Sequence, residues 1–155
     1  MPVCKNLAEL EAYIQKKINE TLMDEVATGV RETMQETIDE DVYRRYAPVK
    51  YVRRNELGNI ENIKAELEGA GVLAVMNIAP PNNSVLGTAY TDYGGTSFAR
   101  WVNDGLVPNI FNDKHYVWED PAHFMEDTKD DLENSHTVKN KMKIGLTKRG
   151  LKVKG

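Results

Sequence analysis

The side chains that could act as metal ligands or catalytic groups are few, and they lie far apart in the sequence. The three histidines are His115, His123 and His136, and none of them forms the HxxxH or HExxH pair that places two ligands on one helix face. The single cysteine, Cys4, excludes an internal disulfide and a cysteine-rich metal site. We therefore expect no metal site and no cofactor.

Motifs for nucleophilic catalysis or phosphate binding are missing as well. Ser84, Ser97 and Ser135 lie in no GxSxG elbow. The stretch GTAYTDYGGT matches neither GxGxxG nor the P-loop pattern. The sequence therefore predicts that the protein is not an enzyme. A small enzyme of unrecognised type would need a histidine to converge with acidic groups in a concave pocket.

A basic and aromatic stretch, VYRRYAPVKYVRR, occupies residues 42–54 and carries five cations, three tyrosines and no acid. Cations interleaved with aromatic side chains are typical of nucleic-acid surfaces. However, no helix-turn-helix spacing, zinc ligand set or aromatic strand signature accompanies them. The alternative is structural: the tyrosines pack under a sheet, and the arginines bridge to acids elsewhere in the chain or across an interface.

The charged residues are divided into blocks. The net charge is −4, yet residues 138–155 carry seven bases and no acid, and residues 1–41 carry ten acids and four bases. Blocks of opposite sign favour contacts between subunits, or a tail folded back on its own chain, over a uniform DNA-binding face. A solvated surface with chance clustering is the simplest alternative.

Length and composition indicate an ordinary globular chain. The 155 residues, 41% apolar and 28% charged, predict a single domain over residues 1–155. No run of 18 apolar residues occurs, and the start MPVCKNLAELEAY has no signal-peptide core. We expect a protein that stays in the cytoplasm, or in a structure assembled there, without a membrane partner.

The first predicted element is a helix over about residues 7–40, which Asn6 can cap. Its apolar residues recur every four positions: Leu10, Ile14, Ile18, Leu22, Val26, Val30, Met34, Ile38 and Val42. At about 100° per residue, each step moves this stripe by roughly 40° around the helix. Two explanations are open: the helix breaks near Gly29, or it stays straight and one half packs on a neighbouring subunit. An exposed stripe would be a liability in a monomer, which favours the second.

The remainder reads as sheet, loops and further helices. Alternation at Ile63, Ala65 and Leu67, then GAG and the run VLAVMNIA, predicts an antiparallel hairpin within a region of sheet and loops over about 48–118. The turn-rich segment 80–97 reads as a long loop. SFARWVNDG predicts a short helix ending at Gly105. A C-terminal helical part covers about 120–150, with Asp120-Pro121 as a helix start and a last helix from Ser135 or His136 to Gly150.

Three passages resemble the small head–tail joining, or tail-completion, proteins of tailed bacteriophages. A long helix runs into VYRRYAPVKYVRRNELGNIENI, similar to the family's valine-tyrosine, tyrosine-x-proline, tyrosine-x-arginine passage. SFARWVNDG resembles its tyrosine-alanine-x-x-valine-glutamate-x-glycine element. DPAHFMEDTKDDL and a basic end closing in KRG resemble its last helices. The chain departs from the pattern at Asn103-Asp104 and at His123, and residues 106–119 form a longer loop.

The resemblance implies an α+β subunit, with a long N-terminal helix packed on a small antiparallel β-sheet and C-terminal helices. It implies a structural protein of the virion, made in the bacterial cytoplasm, that forms a homo-oligomeric ring in the neck or proximal tail. The partners would be the portal adaptor or stopper proteins and the tail tube protein. DNA would pass through the lumen unread. The alternative is a nucleic-acid-binding accessory protein without sequence specificity.

On this interpretation the basic and aromatic stretch at residues 42–54 is a core and interface element and does not read DNA sequence. Tyrosines anchor the junction between helix and sheet, and arginines provide bridges between subunits. Segment 80–97 is a second candidate contact. The candidate interface residues are Tyr43, Arg44, Arg45, Tyr46, Tyr51, Arg53, Arg54 and Trp101.

If Arg53 and Arg54 bridge subunits, replacing both with glutamate reverses the charge at the contact. We expect the double variant to fold normally and to lose assembly. Native mass measured beside the wild type, with the far-UV circular dichroism spectrum as the folding control, checks this. Assembly equal to that of the wild type would contradict the assignment.

Overall fold

The computed structural model describes residues 4–45, 55–79, 98–108, 115–117 and 121–154. These residues form a long N-terminal helix, two small antiparallel sheets and three shorter helices. The architecture is the predicted α+β class, with the long helix, a small antiparallel sheet and C-terminal helices. Among the described helices, none is long and apolar enough to cross a membrane.

The long helix, α1, consists of α-helix Leu7–Thr21, π turn Leu22–Val26, α-helix Ala27–Ile38 and π turn Asp39–Tyr43. After a 3-10 turn at Ile60–Asn62, the other elements are β1 (Ile63–Leu67), β2 (Leu73–Asn77), α2 (Phe98–Asp104), β3 (Leu106–Pro108), β4 (His115–Val117), α3 (Phe124–Asn134) and α4 (Thr137–Lys148).

Helix α1 begins where the sequence predicted. The side chain of Asn6 accepts a hydrogen bond from the backbone N–H of Glu9 at 2.9 Å. The carboxylate of Glu9 in turn accepts from the backbone N–H of Lys5 at 2.7 Å. The first bond satisfies an N–H that the first helical turn leaves without a partner, and the second holds the residue before the cap, in an arrangement similar to a capping box.

The break near Gly29, one of the two explanations for the drifting stripe, does not occur. Gly29 is buried inside the helix, where a Cβ atom would lie 3.1 Å from Lys141 Cε of α4. The glycine therefore permits close packing rather than a bend. Two π turns lie in the helix instead. A π turn takes more than four residues to complete, so a four-residue step within it rotates by less than 360°. Such a step moves the stripe back, opposite to its advance in the α-helical parts.

The stripe is covered by different elements along its length. Leu22 and Val26 are buried where their turn packs against α4 and β1. Met34 and Ile38 belong to the main core cluster, together with Leu57, Ile63, Ala79, Ala99, Ala122 and Phe124. Only the start of the stripe stays open, with Leu10 39% and Ile14 37% exposed.

The predicted hairpin is confirmed: β1 and β2 pair antiparallel, with Ile63 opposite Asn77 and Leu67 opposite Leu73. Side chains of α1 fix the segment that leads into it. The guanidinium of Arg31 donates to the carbonyls of Ile60 and Ile63, each at 2.6 Å. Gln35 donates to the carbonyl of Gly58 at 2.7 Å. These bonds satisfy carbonyls outside the strand ladder and tie the hairpin to the helix.

The start of α3 was predicted wrongly. Pro121 is not helical, and the helix begins at Phe124. The buried Asn103 of α2 explains the difference: its side-chain oxygen accepts from the N–H of Met125 at 2.8 Å, and its carbonyl accepts from the N–H of His123 at 3.1 Å. The cap is thus supplied from another element; Asp120, the predicted cap, lies outside the described residues.

The sequence also missed the second sheet. Residues 106–119 were expected to form a loop, but Leu106 and Val117 are the end pair of an antiparallel ladder between β3 and β4. Each strand has three residues, which is too short for an alternating pattern to be recognised. The short helix before it ends as predicted, since Gly105 adopts φ = 70°.

The last helix, α4, was predicted correctly to within two residues and packs closely along α1. At Gly145 a Cβ atom would lie 2.4 Å from the buried Thr21 methyl group and 2.7 Å from the Glu25 carboxylate. Such a distance is far inside van der Waals contact. Glycine therefore sets how closely the two helices approach.

We expect Gly145→Ala to destabilise the protein. Alanine favours a helix over glycine by about 1 kcal/mol, but the overlap with Thr21 costs about 1–3 kcal/mol, so the clash outweighs the gain. Thermal unfolding measures the result, with Asn140→Ala on an exposed position of α4 as the control. A melting temperature that rises in both variants would contradict this packing.

Candidate interaction surfaces

The predicted interface residues are only partly within the described structure. Tyr46, Tyr51, Arg53 and Arg54 lie outside the described residues, as does segment 80–97. Trp101 lies in α2, but its side chain is outside the described part. The positions that can be placed are Tyr43, Arg44 and Arg45.

Tyr43 lies at the junction of helix and sheet region. Its hydroxyl accepts a hydrogen bond from the N–H of Gly58 at 2.9 Å, and its ring packs against the core cluster. A Cβ at residue 58 would lie 2.7 Å from this ring, so the glycine makes room for the tyrosine. Tyr43 therefore holds the end of α1 against the segment that leads into the hairpin.

Arg44 and Arg45 pair with acids of their own helix. Arg44 lies 3.1 Å from Asp39 and 3.4 Å from Glu40, and Arg45 lies 3.3 Å from Asp41. The two arginine side chains are 68% and 50% exposed. Exposed ion pairs such as those of Arg44 contribute little to stability, whereas Asp41, the partner of Arg45, is only 16% exposed. A subunit contact could exchange them for other acids without unfolding the helix.

The end of α1 also holds two carboxyl groups against each other. Burial raises the pKa of Asp41, and the charge of Asp127 on α3 and a hydrogen bond between the two carboxyls raise it further, against the opposing effect of Arg45. Like charges this close disfavour ionisation of both groups. The contact between α1 and α3 is therefore weakened when Asp41 is ionised.

The basic C-terminal end is folded back on its own chain. Arg149 is only 14% exposed and lies among three acids of α1: it pairs with Glu25 at 2.6 Å, with Glu20 at 3.5 Å, and with Asp24. Lys148 lies 3.5 Å from Glu25, and Lys141 lies 3.7 Å from Glu32. Of the explanations for the opposite charge blocks, the folded-back tail applies to these residues.

Arg149 remains charged in this position. Burial opposes its charge, but the hydrogen bond from its guanidinium to Glu25 and the charges of Glu25 and Asp24 outweigh this effect, so the pKa of Arg149 is raised. The guanidinium also donates to the carbonyls of Glu20 and Gly145. The cation thus fastens the end of α4 to α1.

An apolar patch remains uncovered at the start of α1. Leu7 is 70% exposed, and Leu10 and Ile14 follow it on the same helix face. Their spacing of i, i+3 and i+7 is the spacing by which an amphipathic helix anchors in a groove. We call these three residues the N-terminal stripe.

A groove with an apolar lining lies between α1, β2 and the corner of α3 and α4. Its volume is about 520 Å³. Lys129, Glu133, His136 and Lys139 lie along it. The apolar lining consists of Val30, Met34, Val75, Met125, Leu132 and Val138, and we call it the corner groove.

The histidines lie in separate elements. His123 and His136 each precede a helix with a left-handed backbone, φ = 52° and 54°, and His115 lies in β4. Within the described ranges, no group of three or more histidine, cysteine or acidic side chains could hold a metal ion.

Comparison with known proteins gives one match. The model of the family described as YomN matches residues 6–148, which is most of the chain. No curated protein and no solved structure matches this sequence.

The folded-back tail gives a prediction for truncated chains. Ending the chain after Lys148 removes the guanidinium that neutralises the acids of α1, so we expect the melting temperature to fall by several degrees. Ending it after Leu151 keeps Arg149 and serves as the matched control, with a melting temperature close to that of the full chain. The difference between the two melting temperatures should shrink in 1 M salt, because the Debye length falls to roughly 3 Å and the charges are screened. Equal melting temperatures would show that the tail does not stabilise its own subunit.

The carboxyl pair gives a prediction with pH. The pKa of Asp41 is raised in the folded chain. The stability that its protonated carboxyl contributes is therefore complete below the ordinary pKa of 3.8, and it is lost as the pH rises through the pKa of the folded chain. We expect Asp41→Asn to raise the melting temperature at pH 7 and to have a smaller effect near pH 3. Asp39→Asn, which removes the same charge from an exposed position, is the control. A larger effect of Asp41→Asn at pH 3 than at pH 7 would contradict the assignment.

Proposed function

This chain belongs to the YomN family, phage-derived proteins of the Bacillus SPbeta type, and we propose that it is a structural protein of the virion that assembles into a ring in the phage neck. Family membership supports the phage origin that the resemblance to head–tail joining proteins implied. The ring, its place between head and tail, and its partners are our proposal.

The observation that supports an assembly role is the N-terminal stripe. The first turns of helix α1 extend beyond the elements that cover its later apolar residues. They therefore present Leu7, Leu10 and Ile14 to solvent. Exposed apolar patches on small proteins mark contact sites. A helix that packs on its own subunit at one end and presents an apolar face at the other is suited to joining subunits.

The fold supports the same proposal. A long helix against a small antiparallel sheet, with C-terminal helices, is the architecture implied by the resemblance to head–tail joining proteins. In the proposed ring, the partners along the axis are the portal adaptor or stopper proteins on one side and the tail tube protein on the other. Duplex DNA passes through the lumen without being read, and the protein catalyses no reaction.

Nucleic-acid binding is the alternative, and the charges of the described residues favour it less. Lys141, Lys148 and Arg149, from the most basic block, are paired with acids of α1. Cations paired with acids of their own subunit are less available for contacts with phosphate, and these contacts give nucleic-acid binding its affinity and its salt dependence.

The test is native mass across a concentration series, with negative-stain images of the largest species. We expect a closed ring of one chain type with a central hole wide enough for duplex DNA. Binding to a duplex of random sequence is measured in parallel at 50 and 200 mM salt. A monomer whose DNA affinity falls by decades over this range, which is the dependence expected for about six or more phosphate contacts, would favour the alternative.

A further inference from the structure

We propose that the N-terminal stripe of one subunit docks into the corner groove of a second copy of the same chain. The inference rests on the proposed ring and specifies the contact that builds it. It names a helix-in-groove interface in which Leu7, Leu10 and Ile14 are the anchors.

A subunit cannot fill its own groove with its own stripe. Both lie on the same continuous helix, and the 20 residues from Leu10 to Val30 span about 30 Å at 1.5 Å per residue. The stripe must therefore meet the groove of another molecule. Two different patches on one subunit make a heterologous contact, which closes into a ring when the rotation between neighbours permits it.

The chemistry of the two surfaces is complementary. Three aliphatic side chains at helical spacing face a groove lined by aliphatic and methionine side chains, among which Val138 is 38% exposed. Methionines such as Met34 and Met125 adapt their shape to an inserted group. Docking would remove apolar surface from water on both sides, which is the main favourable term in association.

Charge complementarity points to the same partner. Residues 7–14 carry two acids, Glu9 and Glu11, and no base. The groove has Lys129 and Lys139 on its edge, and its one acid there, Glu133, lies 3.9 Å from Lys129. Acids on both sides of the stripe and lysines on the groove edge favour this contact and speed the encounter.

Single substitutions at exposed positions test the contact without disturbing the fold. Leu10→Lys places a charge in the stripe and Val138→Lys places one in the groove, at residues 39% and 38% exposed. We expect each to weaken self-association by about tenfold or more, since a charge would be buried in an apolar contact. Ile144→Lys is the matched control, a 49% exposed residue of the same helix α4 outside the groove lining, and should assemble as the wild type does.

Mixing the two variants tests the heterologous geometry. The Leu10→Lys subunit keeps an intact groove, and the Val138→Lys subunit keeps an intact stripe. Together they can form one good contact, so we expect a 1:1 dimer that does not grow further. Analytical ultracentrifugation of each variant and of the mixture gives the readout, with the melting temperature of each as the folding control.

A disulfide pair detects the contact even where assembly is weak. In a Cys4→Ser chain, which lacks the natural thiol, Leu10→Cys and Val138→Cys are introduced together and oxidised. A heterologous contact gives a ladder of dimers, trimers and larger species on a non-reducing gel. The pair Leu10→Cys with Ile144→Cys is the control for random collisions and should give no such ladder.

The outcomes separate this inference from the proposed function. A ring that forms equally well with Leu10→Lys and Val138→Lys would overturn the helix-in-groove contact and leave the ring proposal standing. A wild-type monomer without a specific disulfide ladder would overturn both. A ladder together with a 1:1 dimer in the mixture supports both.

Discussion

An apolar stripe that repeats every four residues cannot stay on one face of a straight α-helix, and this constraint organises the subunit. Each step of the stripe advances by roughly 40°, so no single element can cover it from end to end. Different elements therefore cover successive parts of α1: α4 and β1 cover Leu22 and Val26, and Met34 and Ile38 pack in the core cluster. The earliest residues of the stripe extend beyond this cover and remain open.

Polar contacts from distant parts of the sequence complete the structure where backbone groups would otherwise lack partners. Arg31 and Gln35 bind carbonyls of the segment that leads into β1. Asn77, itself buried, donates to the carbonyl of Leu57. Asn103 caps α3 from a different helix. Each of these bonds joins two elements, so the small sheets and short helices are held by α1 and by one another rather than by their own length.

The charge pattern acts mainly within the subunit. Arg149 pairs with three acids of α1. Lys141 and Lys148, from the same basic block, also pair with acids of α1. This arrangement joins the acidic N-terminal segment and the most basic segment in one packed pair of helices. Among the described residues, the apolar surfaces that stay open include the N-terminal stripe and the corner groove, with charges along their edges.

The local features could be predicted from neighbouring residues: the capped start of α1, the hairpin from alternating residues, and the helix that ends at Gly105. The spacing of such residues is visible in the sequence. Three features depend instead on long-range packing: α1 does not break at Gly29, α3 begins at Phe124, and Arg149 returns to α1. Each involves side chains 22 to about 130 residues away. The corner groove was likewise invisible, since its lining converges from three helices and a strand. A linear pattern records which residues are apolar, but only packing determines which of them remain exposed.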